Sequence, residues 1–167
     1  MVDPVDSYII PPISPQTGLI IAGLISTGLL GGALLFQHVG GLALCNLCVW
    51  QRWPHLAVMF FSLAGLCNIR PQVMLVLILF NGIISAGLGG YHAGVEWQLW
   101  AGPSGCTAAL SLAGNIASMT DQLLATPLVR CDEVVWSLFG LSMAGWNALI
   151  SLDIIAIALI SLRKFTR

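Results

Sequence analysis

Leu44-Cys45-Asn46-Leu47-Cys48-Val49-Trp50-Gln51-Arg52 decides how the rest of this chain is read. The stretch joins one long apolar segment to the next. It carries two cysteines three positions apart, with an arginine four beyond the second. Taken as the start of a helix, it puts Cys45, Cys48, Arg52 and His55 at i, i+3, i+7 and i+10, on one face. A guanidinium one turn from a sulfur, and a helix N-terminus beside it, both favour thiolate over thiol. Thiolates attack disulfides and donate electrons, so the stretch predicts a redox site at a membrane surface.

The surrounding chain is apolar enough for that setting. Of 167 residues, 57% are hydrophobic and 8% charged, with a mean hydropathy of +0.92, whereas a soluble domain carries about a quarter charged residues. Apolar runs of helix length follow one another, which predicts an all-α polytopic membrane protein, a helix bundle set in the bilayer. A net charge of -1 and the lack of a basic cluster exclude a nucleic-acid partner. Met1 to Gln16 contains Asp3 and Asp6 but no Lys or Arg, so no cleavable signal peptide is expected.

Residues 1–17 form a polar, Pro-rich tail (Pro4, Pro11, Pro12, Pro15), and a single membrane domain fills 18–163. Its four expected spans cover about 18–44, 49–67, 73–92 and 138–162, and a short tail, 164–167, follows. Gly18, Gly23, Gly28, Gly31 and Gly32 in the first span offer close helix contacts, and Gln37 and His38 interrupt its far end. The second span has an uninterrupted part, Leu56 to Cys67, shorter than the roughly 20 residues a crossing needs. It crosses only if Arg52 and His55 lie at the interface. Asn68-Ile69-Arg70-Pro71 reads as a tight turn. The loop 93–135 holds Cys106 and Cys131. In it Leu112, Ile116, Met119 and Leu123 oppose Ser111, Asn115, Ser118 and Gln122, the pattern of a short interfacial helix; a loop helix packed on the bundle fits equally.

Four spans place Arg70, Arg163, Lys164 and Arg167 on one side, against Arg52 and Arg130 on the other, so the positive-inside rule puts both termini in the cytoplasm. Cys45, Cys48, Cys106 and Cys131 then share the outer, oxidising side, and Cys67 alone is cytoplasmic, read as a buried thiol. The outer four admit three readings. They are two structural disulfides, a tetrathiolate zinc site of which the 25-residue separation of Cys106 and Cys131 leaves only half the signature, or two communicating redox pairs.

Other polar residues also have two readings. Arg52 is either an electrostatic partner of Cys48 or an interfacial anchor that snorkels. His92, near Trp97 and Trp100, is either part of the site or interfacial. His38 and His55 are expected as satisfied polar contacts. Asp153, in mid-span, is a proton or ligand site by default, or takes a hydrogen bond from Asn147 or Ser151. Trp97, Trp100, Trp136 and Trp146 read as belt residues.

Phe36-Gln37-His38-Val39, Cys45-Asn46-Leu47-Cys48 with Arg52, Tyr91-His92, the looped Cys106 and Cys131, and Trp136 before the last span together resemble the bacterial disulfide-bond formation protein B (DsbB) family. The resemblance runs from the first span to the last. It implies a four-helix inner-membrane enzyme that reoxidises a periplasmic DsbA-like thiol oxidase and passes the electrons to a membrane quinone, ubiquinone with menaquinone as the alternative. It implies redox-active disulfides Cys45–Cys48 and Cys106–Cys131, with Cys106 forming the mixed disulfide with the partner. Cys45 and Cys131 would join in an interloop intermediate. Cys48 would face the quinone, Arg52 would stabilise thiolate and quinone anion, and His92 would line the same pocket. A specialised relative with one dedicated partner, or a scaffold with two static disulfides, are the alternatives. Gln51 stands where a glutamate can precede the arginine, leaving Arg52 less compensated.

Overall fold

The computed structural model describes residues 13–42, 44–103 and 130–165. Its helices are α1 (Pro15–His38), α2 (Asn46–Leu66), α3 (Pro71–Glu96) and α4 (Met143–Leu162). Two short antiparallel strands, β1 (Ser137–Leu138) and β2 (Leu141–Ser142), precede α4, and a 3-10 turn, Arg163–Phe165, ends the described chain. The interfacial helix expected around Leu112 to Leu123, and Cys106, lie outside the described residues.

Each helix starts on a local signal. Ser14 caps α1 by accepting from the Thr17 N–H at 3.1 Å, with Pro15 in the first turn, so the helix begins three residues earlier than the expected span. The turn before α3 is built by left-handed Asn68 (φ 62°) and Arg70 (φ 39°), and Pro71 then opens the helix, as the sequence predicts. Ser142 caps α4 by accepting from the Gly145 N–H at 3.2 Å. Residues 138–142, expected inside the last span, instead form the hairpin, whose turn residues Phe139 and Gly140 have φ of 52° and 78°. Two successive positive φ values suit a tight hairpin and end any helix there.

The bundle is polar inside and apolar outside. Ser26, Ser62, Ser85, Ser151 and Ser161 are buried, while Leu24, Trp53, Phe60, Leu63 and Phe80 are exposed. Lipid gives apolar side chains no reason to hide, so contacts between helices go to small and hydrogen-bonding residues. Among the described residues α1, α3 and the last helix are long and apolar enough to cross a membrane. α2 is 21 residues long, about 31 Å at the helical rise, but spends part of its length on Gln51, Arg52 and His55. The bundle buries Gln51 and His55 and leaves Trp53 and Phe60 outward.

Leu19, Ala22, Val58, Leu75, Ile78, Ile154 and Ala158 form the apolar core where all four helices meet. At Gly89 the backbones of α3 and α4 come close together: a Cβ there would lie 2.9 Å from the Ala148 backbone nitrogen. Gly18 and Gly23 do make the expected contacts, against Ser161 and Ser62. Gly28, Gly31 and Gly32 do not: a Cβ on any of them would meet nothing within 4 Å. Gly28 and Gly32 face open space that becomes part of the site.

Two further expectations are corrected. Cys67 is exposed, not buried, because it caps the C-terminus of α2 where the chain reverses. Asp153 is exposed on the outer face of α4, while Asn147 and Ser151 turn inward to Gln51 and Ser85. Helix geometry sets Asp153 two positions, about 200°, from Ser151, so neither residue supplies it a hydrogen bond.

Candidate functional site

Cys45 is the N-cap of α2, in extended backbone (φ −87°, ψ 162°), and its Sγ accepts from the Cys48 N–H at 3.1 Å. A sulfur thus fills a role usually taken by Ser, Thr, Asp or Asn. The cap carries the i, i+3 spacing into three dimensions and brings the two sulfurs to 2.7 Å, the Cys45 S–H donating to Cys48. Both cysteines precede the apolar stretch that begins at Val49. That S–H holds the Cys48 thiol below its ordinary range against the opposing effect of burial, and sharing the hydrogen pushes the Cys45 thiol up. Cys48 is therefore the sulfur that carries negative charge, and the Cys45 S–H contributes more to this than Arg52 does.

The guanidinium of Arg52 reaches back to α1, donating to Gln37 Oε1 at 2.8 Å and to the Ala33 carbonyl at 3.4 Å. Gln37, which reads in the sequence only as an interruption of an apolar run, is the residue that orients Arg52. Gln51 faces away from Arg52 and is buried against α3 and α4. Its Nε2 lies 2.7 Å from His92 Nδ1, and its Oε1 accepts from Asn147 Nδ2 at 2.8 Å.

His92 is buried, not interfacial. Its Nε2 lies 3.6 Å from Cys45 Sγ and 3.9 Å from Glu96 Oε1, and the ring also hydrogen-bonds the backbone of Cys131. Glu96 and Asn147 are site residues that the sequence reading missed. Glu96 is buried at the end of α3, hydrogen-bonded to Ser142, and its Oε2 has no partner among the described residues. His55 is satisfied as expected, by Asn147, Ser85 and Ser26. His38 is exposed in the last turn of α1.

Cys131 is disulfide-bonded and buried in an apolar cluster with Cys45, Leu47 and Val95, against which Cys48 packs. Cys45 Sγ, Cys131 Sγ and a ring nitrogen of His92 all lie within 4.8 Å of one another. Three such donors are a zinc-like grouping, but a disulfide sulfur is no thiolate ligand, which leaves two donors where a structural zinc wants four. What the grouping suits is exchange, with a sulfur at the head of α2 within reach of a disulfide brought in by the segment before α4.

A cavity of about 280 Å³ opens beside these groups, close to the lower end of small-molecule sites, roughly 300–1,000 Å³. Gly28, Gly32 and Phe36 of α1 form one wall, Trp136, Trp146 and Asn147 another, and Cys48, Arg52 and His92 the polar end. Trp136 packs on Phe36 at 5.1 Å between centroids, and the Trp146 indole N–H donates to the Leu138 carbonyl. These two tryptophans thus belong to the cavity wall. Trp97 and Trp100 are exposed, Trp100 stacking on Tyr91, as belt residues do.

Paired cysteines at one end of a helical, multi-pass membrane bundle, with an arginine and a buried histidine beside them, define a thiol-redox membrane protein. The chain belongs to the disulfide bond formation protein DsbB family, whose model matches residues 15–161. It is 32% identical over 142 residues to disulfide bond formation protein B of Pasteurella multocida, covering 81% of this chain and 79% of that protein. It is 30% identical over 157 residues to disulfide bond formation protein B 2 of Pseudomonas aeruginosa, covering 88% and 85%. With disulfide bond formation protein B of a Polaromonas species it shares 29% identity over 161 residues, 92% of each chain. Membership makes it a disulfide-forming oxidoreductase of the membrane.

Proposed function

We propose that the chain is a thiol:quinone oxidoreductase of the bacterial inner membrane. It crosses four times with both termini in the cytoplasm, reoxidises a periplasmic DsbA-like dithiol, and passes the electrons to a membrane quinone. The partner's thiolate attacks a Cys106–Cys131 disulfide at Cys106. Cys131, released as a thiolate, attacks Cys45 of the Cys45–Cys48 disulfide, forming a Cys45–Cys131 bond and freeing Cys48 as a thiolate. The second partner thiol resolves the mixed disulfide at Cys106, and Cys106 then attacks Cys131 and leaves both electrons on the Cys45–Cys48 pair.

The observation that carries this reading is the placement of Cys48 and Arg52 at the polar end of a cavity walled by Gly28 and Gly32, with Cys45 and Cys131 sulfurs in exchange range. A flat apolar ring would fit against glycines that have nothing opposite them, and Arg52 would be the donor for its oxygen. A bound quinone supplies a two-electron, two-proton acceptor. The residues of the chain do the rest: Cys48 holds the negative charge, Cys45 holds the shared proton, Gln37 aims Arg52, and Trp136 and Trp146 keep water from the cavity. The test is optical quinone reduction by the purified protein with a reduced thiol protein as donor. Cys48→Ala should abolish the reaction and Arg52→Ala should raise the quinone KM; turnover by Cys48→Ala would overturn the reading.

A further inference from the structure

Gln51, Asn147 and His55 form a hydrogen-bonded chain that runs from the middle of the bundle to the redox cysteines. Its members come from α2 and α4 and end on His92 of α3. As the amides of Asn147 and Gln51 are oriented, the bonds run in one sense along the chain. Asn147 Nδ2 donates to Gln51 Oε1 at 2.8 Å, which leaves Gln51 Nε2 facing His92 Nδ1 at 2.7 Å. An amide nitrogen can only donate, so Nδ1 is the bare acceptor and the neutral ring carries its hydrogen on Nε2. That nitrogen is the one 3.6 Å from Cys45 Sγ, and its hydrogen is shared between that sulfur and the Cys131 backbone. At the inner end Asn147 is held the same way: its Oδ1 lies 2.7 Å from His55 Nε2, which must then carry the hydrogen. His55 Nδ1 is left to accept from the Ser26 hydroxyl at 3.4 Å.

We infer that Asn147 and His55 are positioning residues of the redox site, which act through Gln51 to hold His92 in the tautomer that turns an N–H onto Cys45. Resting on the exchange proposed above, the consequence is direct. When a thiolate attacks Cys131, the Cys45–Cys131 bond breaks and the electron pair and negative charge end on Cys45. A hydrogen on His92 Nε2 meets that charge, whereas a bare nitrogen repels it. Losing a hydrogen bond to a charged atom slows the step roughly tenfold or more. Gln51 acts here by what it donates: a glutamate at this position can only accept, and demands the opposite tautomer.

The tautomer is measurable without turnover, by nitrogen NMR of the purified protein with labelled histidine, His92 being assigned from a His92→Gln spectrum. The wild type should show a protonated Nε2 and a bare Nδ1 at His92. Asn147→Asp keeps the volume but removes the donor to Gln51, so Gln51 turns over, presents Oε1 to Nδ1, and moves the hydrogen there. Gln51→Glu should reverse the tautomer too. Asn147→Asp should also lower kcat with the thiol donor roughly tenfold, and Asn147→Gln, which can restore the donor, should recover part of it. A wild-type His92 protonated on Nδ1, or an Asn147→Asp ring that keeps its hydrogen on Nε2, overturns the inference whatever the enzyme's turnover. A correct tautomer in a protein that reduces no quinone overturns the proposed function instead.

Discussion

A single hydrogen between two sulfurs sets the chemistry of Cys45 and Cys48. Free thiols titrate near pH 8.5, and in this site burial alone would raise both groups. The Cys45 S–H reverses that for Cys48. A lowered value means that the thiolate survives to lower pH, so in the reduced protein Cys48 should alkylate faster than Cys45 at neutral pH. In Cys45→Ala the donor is gone and the midpoint of Cys48 alkylation should move up in pH; an unmoved midpoint would assign the effect to Arg52 and the helix N-terminus instead. Arg52 is set up differently, by Gln37 of another helix. Gln37→Leu should therefore raise the quinone KM as Arg52→Ala does, but less, because the charge remains and only its aim is lost.

At the scale of the helices, glycine has two opposite uses. Gly89 lets α3 and α4 touch, and an added Cβ would sit 2.9 Å from the Ala148 nitrogen and 3.0 Å from the Ala144 carbonyl oxygen. Neither backbone atom can yield without moving α4, and overpacking of this kind costs about 1–3 kcal/mol, more than the roughly 1 kcal/mol an alanine returns to a helix. Gly89→Ala should lower the Tm in detergent and loosen the Asn147–Gln51 bond along with it. Gly32 opens on the cavity, so Gly32→Ala keeps only the helical gain: its Tm should not fall, and its quinone KM should rise. Equal Tm loss in the two variants would mean that the cavity wall is packed, not open.

At the scale of the whole molecule, α2 and α3 carry the chain to the far end of the bundle and back, so Cys45, Cys48, His92 and Cys131 gather at one end and Cys67 sits at the other with Arg70 and Arg163. The exposure of Cys67 makes this distribution measurable. A membrane-impermeant thiol reagent added to intact spheroplasts should modify reduced Cys48 and spare Cys67, and inverted vesicles should show the reverse. Labelling of both from one side would overturn the four-crossing topology.

The helical class, the turn at Asn68–Pro71 and the cysteine pair at a helix start were legible in the sequence, whereas the hairpin at 137–142 was not. Each is set by neighbours within a few residues: an apolar run, a Pro or Ser at a helix start, a sulfur repeated at one turn's spacing. The cavity and the polar chain behind it were not. Gly32 and Gly89 are the same residue in similar apolar runs, and only what stands opposite tells a ligand wall from a helix contact. Gln51 and Asn147 are 96 positions apart and meet through the packing of α2 against α4. Sequence alone determined the helical runs and the helix starts; tertiary packing decided which polar groups are buried and which of them meet, because a buried hydrogen bond needs two partners and local sequence supplies one.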